Sequence, residues 1–207
     1  MLNIVVLVSG GGTNLQALFD AETTGIISSG RISHVISSSP DAYALERAGM
    51  YGVPSTVIDR KAYASSAEFD AGLLDVLKGC TPDLIVLAGF MCILGQNVIS
   101  AYPNRIINVH PSLIPSFCGK GFYGLRVHEA ALAYGVKVTG ATVHFVNEIP
   151  DGGAIILQKA VPVMEDDTPN TLQLRVMQQA EQELLPKAVS LFCDGKLKMK
   201  NTAVIVG

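Results

Sequence analysis

Four short runs rich in β-branched residues, Ile4–Val8, Ile32–Ser37, Leu84–Ala88 and Arg105–His110, recur along the first half of the chain. Two of them, Ile4–Val8 and Leu84–Ala88, contain no polar residue, so a strand made from either must be covered on both faces. Parallel sheets flanked by helices meet that demand; sheets with one wet face do not. Helical patterns fill the gaps between the runs. One covers Asn14–Ala21, and another covers Tyr43–Tyr51 before Gly52 and Pro54 stop it. A third opens on the capping box Ser65-Ser66-Ala67-Glu68 and places Phe69, Leu73, Val76 and Leu77 on one face. Strands alternating with helices predict an α/β fold, a doubly wound and mostly parallel sheet.

The second half differs in character. Val136–Val146 and Ile155–Val163 read as two strands joined by the turn at 147–153. A long helix then opens at Thr168, an N-cap followed by Pro169 at the first helical position. Pro186 is expected to kink or end it. Leu174, Met177, Leu184 and Leu185 form an apolar stripe on this helix, and Glu181 falls inside the stripe. A carboxylate there is costly unless it is paired or binds something polar. With no repeat, low-complexity segment or linker, residues 1–207 are expected to form one domain. Its nucleotide-fold half spans 1–100 and a mixed half spans 101–207.

Composition excludes several functions. Fifteen Lys and Arg against 18 Asp and Glu give a net charge of −3, without the basic excess that a nucleic-acid binder uses on phosphates. The longest apolar run, Leu84–Leu94, is interrupted by a glycine and too short to span a bilayer, so no membrane role is expected. No basic segment precedes Ile4–Val8, and Cys80, Cys92, Cys118 and Cys193 form no Cys-x-x-Cys pair. Reduced thiols in a cytoplasmic protein are the expectation. His128-Glu129-Ala130-Ala131-Leu132 begins like a zinc-binding helix but lacks the second histidine, so no metal is expected.

Two places carry chemistry. Ser9-Gly10-Gly11-Gly12-Thr13-Asn14 sits between a strand and a helix, the layout of a phosphate cradle. Leu15 stands where a dinucleotide site needs its third glycine, Ser37-Ser38-Ser39 where it needs an acid, and no Gly-Lys-Ser/Thr follows. A phosphomonoester on a small substrate remains, alongside simple close packing of helix on strand. Farther on, Asn108 and His110 lie two apart on a strand that Pro111 ends, so they share a face at the edge where open α/β sheets bind ligands. An amide beside an imidazole suits an oxyanion and a moving proton. Asp151, between Pro150 and Gly152-Gly153, could be aimed at that imidazole and raise its pKa, or be an ordinary turn residue. His144 shares a face with Thr142, for which a hydrogen-bonded strand histidine is the simpler reading. His34 and His128 have no supporting context.

Five segments together resemble a known family: 9–17, Leu-Ala-Gly-Phe-Met-Cys-Ile-Leu at 87–94, Asn-Val-His-Pro-Ser-Leu-Ile-Pro at 108–115, Thr-Val-His-Phe-Val at 142–146 and Asp-Gly-Gly-Ala-Ile-Ile-Leu-Gln at 151–158. The chain resembles the folate-dependent formyl transferases and, within them, the phosphoribosylglycinamide formyltransferases, from residue 3 to about 199. The resemblance implies a Rossmann-like formyltransferase fold. It also implies transfer of the formyl group of 10-formyltetrahydrofolate, the co-substrate, to the amine of phosphoribosylglycinamide in purine biosynthesis. It assigns catalysis to Asn108, His110 and Asp151, with Asp151 keeping His110 protonated. Substrate binding falls to Gly12, Thr13, Asn14 and Glu181, and folate binding to Met91, Cys92, Ile93, Leu94 and Asn108 together with the 147–151 turn. Partners are the small substrate alone, with a monomer or homodimer as the assembly. A formyltetrahydrofolate deformylase and a non-catalytic phosphate-binding module are the alternatives. Cys92 and Ser66 stand where the family often has basic residues, which leaves Arg60, Lys61 and Lys120 for the folate's glutamyl tail. Gly119, Gly121 and Gly124 suggest a mobile loop over the substrate site.

Overall fold

The computed structural model describes residues 1–207 and divides them into two compact units, Met1–Asn108 and Val109–Gly207. The first unit is built on β1 (Leu2–Val8), β2 (Gly30–Ser37), β3 (Ser55–Val57), β4 (Leu84–Leu87) and most of β5 (Ile106–His110), in the order β3-β2-β1-β4-β5. Every adjacent pair is parallel, with Val6 opposite Val35 and Val86, and Val86 opposite Ile107. Residues Ile4 to Val8 and Leu84 to Val86 have no exposed surface. That is the two-sided cover their composition demanded. Helices α1 (Thr13–Thr23), α2 (Tyr43–Met50), α3 (Ser66–Cys80) and α4 (Gln96–Ala101) belong to this unit. Leu15, Leu18 and Phe19 bury the inner face of α1, and Leu73 and Leu77 that of α3.

The second unit takes up the carboxyl end of β5, followed in the sheet by β6 (Val138–Phe145) and β7 (Ile155–Pro162). β6 and β7 pair antiparallel, and the register slips between Val143 and His144, leaving Ile156 as a surplus residue on β7. Helix α5 (Leu125–Tyr134) precedes this pair, and α6 (Pro169–Val176) and α7 (Gln182–Cys193) follow it. A small hairpin, β8 (Leu197–Lys200) with β9 (Ala203–Val206), closes the chain. The sheet is thus mostly parallel, with β6 and β7 antiparallel to each other, the predicted doubly wound α/β class.

The long C-terminal helix corrects two expectations. Pro186 does not end it, because α7 runs through the proline to Cys193. A π-helical turn, Met177–Glu181, interrupts it instead and stops one residue before Gln182, whose carbonyl the Pro186 ring would crowd. The wider turn also shifts the register. Leu174 is 49% exposed rather than part of the stripe, while Leu172, Val176, Ala180, Leu184 and Ala188 face inward at intervals of four. Glu181 joins them at 9% exposure.

Candidate active site

In the first unit the glycine turn leads into α1 through Gly12, whose φ of 73° is left-handed. A Cβ there would come within 2.7 Å of the Ala44 Cβ, so Gly12 meets the packing demand as well as the turn. Gly10 and Gly11 have no such neighbour, and the space beside them is open. Arg47 of α2 holds the loop: its Nε donates to the Gly11 carbonyl at 2.9 Å and its Nη1 to Gln16 at 2.8 Å. Thr13 and Asn14 supply first-turn N–H groups at the positive end of the α1 dipole. Nothing local in the sequence flagged Arg47, which sits on a different helix from the turn it braces.

The same unit places Met91–Leu94 after β4. The Met91 N–H donates to Ser9 Oγ at 2.8 Å, tying this segment to the glycine turn. Met91 and Ile93 expose large apolar surface, Leu94 is buried and Cys92 is half-buried. Burial pushes the Cys92 thiol up, opposed by a hydrogen bond with Ser38 and by the nearby positive charge of Arg60. Arg60 is one of the three cations that the sequence left for the folate tail. Its guanidinium stacks over Phe69 at 5.6 Å.

In the second unit, His110 ends β5 and is buried. Asp151 occupies a turn that Asn147 braces from within: Asn147 Oδ1 accepts from the Ile149 N–H at 3.0 Å and Nδ2 donates to the Gly152 carbonyl at 3.2 Å. The turn closes onto β6 at Gly153, where a Cβ would overlap the Phe145 carbonyl. So held, Asp151 brings Oδ2 to 3.5 Å from His110 Nδ1, and the Gly119 N–H donates to the same oxygen at 2.8 Å. The outer nitrogen of His110, Nε2, donates to the Phe117 carbonyl at 2.9 Å. Residues 117–119 are therefore tied to both catalytic candidates. Asn108 lies two residues before His110 on the same face of β5.

The electrostatics revise one expectation. Burial lowers the His110 pKa below its ordinary value; Asp151 raises it, as anticipated, but by less. Burial thus outweighs the carboxylate in the balance on the His110 imidazole. Asp151 is held below the usual carboxylate range by His144, His110 and the Gly119 N–H, which together outweigh its own burial. The sequence reads His144 as a hydrogen-bonded strand histidine, and the structure gives it a further neighbour in Asp151. Its Nε2 lies 3.6 Å from Asp151 Oδ1 and its Nδ1 donates to the Phe145 carbonyl at 2.8 Å. The only sequence signal was its position two residues after Thr142, which anchors the segment after β5 through Ser112 and Ile114. Glu181 is buried in this unit within the π-helical turn.

The chain is similar to known proteins over nearly its whole length. A sequence profile described as formyl transferase matches residues 2–189. The chain belongs to the formyl transferase family. Phosphoribosylglycinamide formyltransferase of Escherichia coli (strain K12) is 41% identical over 202 residues, 98% of this chain and 92% of its own length. The trifunctional purine biosynthetic protein adenosine-3 of Homo sapiens is 43% identical over 196 residues, 95% of this chain and 19% of that larger protein. Among solved structures of formyl transferases, glycinamide ribonucleotide transformylase 1 from Symbiobacterium toebii superposes with a TM-score of 0.93 at 45% identity, covering 100% of this chain and 94% of that one. No helix in this formyl transferase is long and apolar enough to cross a membrane.

Proposed function

We propose that the protein is a phosphoribosylglycinamide formyltransferase. It moves the formyl group of 10-formyltetrahydrofolate to the glycinamide amine, giving formylglycinamide ribonucleotide and tetrahydrofolate in purine biosynthesis. The observation that carries the reading is the 3.5 Å meeting of Asp151 with His110 in a member of this family. The amine nitrogen attacks the formyl carbon, and the carbonyl electrons move onto oxygen to form a tetrahedral oxyanion. Asn108 donates to that oxygen, the role for which a pre-placed amide is suited. The proton released by the amine is taken up by His110 and Asp151. As the bond from the formyl carbon to N10 breaks, the same pair returns a proton to N10. Gly12, Thr13 and Asn14 hold the substrate phosphate through backbone N–H groups, Glu181 binds the ribonucleotide, and Met91 to Leu94 contact the folate.

A spectrophotometric assay for folate product tests this. Product is expected only when formylfolate and phosphoribosylglycinamide are both present. Equal turnover without the amine would identify a deformylase, and ligand binding without turnover a phosphate-binding module.

A further inference from the structure

Three consecutive carbonyls of the glycine turn each have a fixed partner. The Ala44 N–H, in the first turn of α2, donates to the Gly10 carbonyl at 3.1 Å. Arg47 Nε donates to the Gly11 carbonyl at 2.9 Å, and the Gln16 N–H closes the first turn of α1 on the Gly12 carbonyl at 2.9 Å. These peptides are trans, so each N–H points away from the carbonyl in its own peptide. Tying the Gly10 and Gly11 carbonyls to α2 therefore turns the Gly11 and Gly12 N–H groups to the opposite side. The Thr13 N–H comes next, at the positive end of α1. Successive N–H groups presented in this way make an anion seat.

The Gly11–Gly12 peptide is the least constrained of the three. A glycine stands on each side of it, so no Cβ resists its turning over. Backbone anchors the peptide before it, through Ala44, but a side chain alone anchors this one. That side chain is itself held firmly. Arg47 Nη1 donates to Gln16 Oε1 at 2.8 Å, and the guanidinium carbon lies 5.0 Å from the centre of the Tyr43 ring. Gln16 Nε2 donates in turn to the Tyr51 hydroxyl at 2.7 Å and to Asp20 Oδ1 at 2.9 Å.

We propose that Arg47 is a positioning residue for substrate binding: by holding the Gly11 carbonyl on α2, it keeps the Gly12 N–H turned toward the substrate phosphate. The proposal rests on the reading of this turn as the phosphate site. Arg47 works through the turn and not through its charge. A turn that samples both peptide orientations binds its ligand only in proportion to the correctly set fraction. Loss of the anchor thus weakens phosphoribosylglycinamide and spares both folate binding and formyl transfer.

The test is calorimetric titration and steady-state kinetics on the parent protein and on Arg47→Met, which keeps the stem and removes the donors. The parent is expected to bind phosphoribosylglycinamide well and the dephosphorylated nucleoside far more weakly. In Arg47→Met the dissociation constant of phosphoribosylglycinamide should rise about tenfold. Its KM should rise to match, with kcat and the formylfolate KM changed less than about twofold. Arg47→Lys keeps the charge but lacks the planar fork that spans both acceptors, so it should lose nearly as much. It also stands in for Arg47→Met should that variant not fold. An unchanged constant for phosphoribosylglycinamide, an equal loss in folate binding or kcat, or a lysine variant that matches the parent overturns the proposal. A parent that does not distinguish the nucleotide from the nucleoside removes the phosphate reading and this proposal with it. An inactive parent protein would instead sink the transferase reading alone, and the dissociation constants would still decide on Arg47.

Discussion

Asp151 is where backbone and electrostatics converge. Its φ of 57° is left-handed, a conformation that aspartate and asparagine tolerate better than most residues. Asp151→Asn therefore keeps the turn and the hydrogen bond from Gly119 while deleting the charge. We expect kcat to fall by about two to four orders of magnitude, with folate binding still measurable by titration. Removing the carboxylate also removes the one charge that raises the His110 pKa. The His110 midpoint, already below the ordinary imidazole value, should drop further when followed by NMR. At this scale the sequence carried the shared strand face of Asn108 and His110 and the turn at Asp151, because a strand alternates its faces and Pro-Asp-Gly-Gly marks a turn, while their catalytic roles came only with the family resemblance. It could not carry His144, whose partner is set by a bulge in pairing with a strand eleven residues on.

Elements were legible in proportion to how locally they are specified. β1 and β4 announced themselves as uninterrupted apolar runs, and α3 by its own capping box, where Ser65 Oγ accepts from the Glu68 N–H at 3.1 Å. Helix α4 had no such signal. Its N-cap is Gly95, and the capping carboxylate comes from Asp70 on α3, accepting from the Gly95 and Asn97 N–H groups at 2.7 and 3.2 Å. Helix α5 likewise opens on a glycine without a side-chain cap, and β3 is a three-residue edge. Helix α6 is the opposite case, with the Thr168–Thr171 capping box reinforced by Asp167. That carboxylate accepts from the Met164 N–H, the Thr171 hydroxyl and both Arg175 Nη groups. Arg175 is the largest of the causes that hold its pKa down to about 2. Asp167→Asn should cost about 1–2 kcal/mol in urea denaturation at neutral pH. A folded pKa below the unfolded value of about 3.9 means the carboxylate's contribution is complete above that value and fades as pH falls toward 2. The gap between parent and variant should therefore close across that interval.

For the whole molecule, acid is the vulnerable direction. His34, His110 and His128 all have pKa values lowered chiefly by burial, with His128 down to about 4. Below the unfolded imidazole value of about 6.5, the unfolded chain takes up protons that the folded chain refuses. Stability should thus fall as pH drops through this range, by up to about 1.4 kcal/mol per pH unit for each such group. His128 has no exposed surface, and neither ring nitrogen has a hydrogen-bond partner in the protein. His128→Leu should flatten the decline between pH 6.5 and 4 in thermal melts. An equally steep decline in that variant would place the acid sensitivity elsewhere.

The π-helical turn at Met177–Glu181 gives the C-terminal helix one residue more than a regular α-helix needs over the same length. Excising a single residue there would restore the ordinary ladder and make the helix locally more regular. It would also swing everything on one side of the cut by about 100° relative to the other. Glu181 would part company with the inward row of Leu172 and Val176 that now shares its side of the helix. Helical regularity and the burial of this acid are therefore alternatives in this chain, and the sequence holds to the second at the expense of the first.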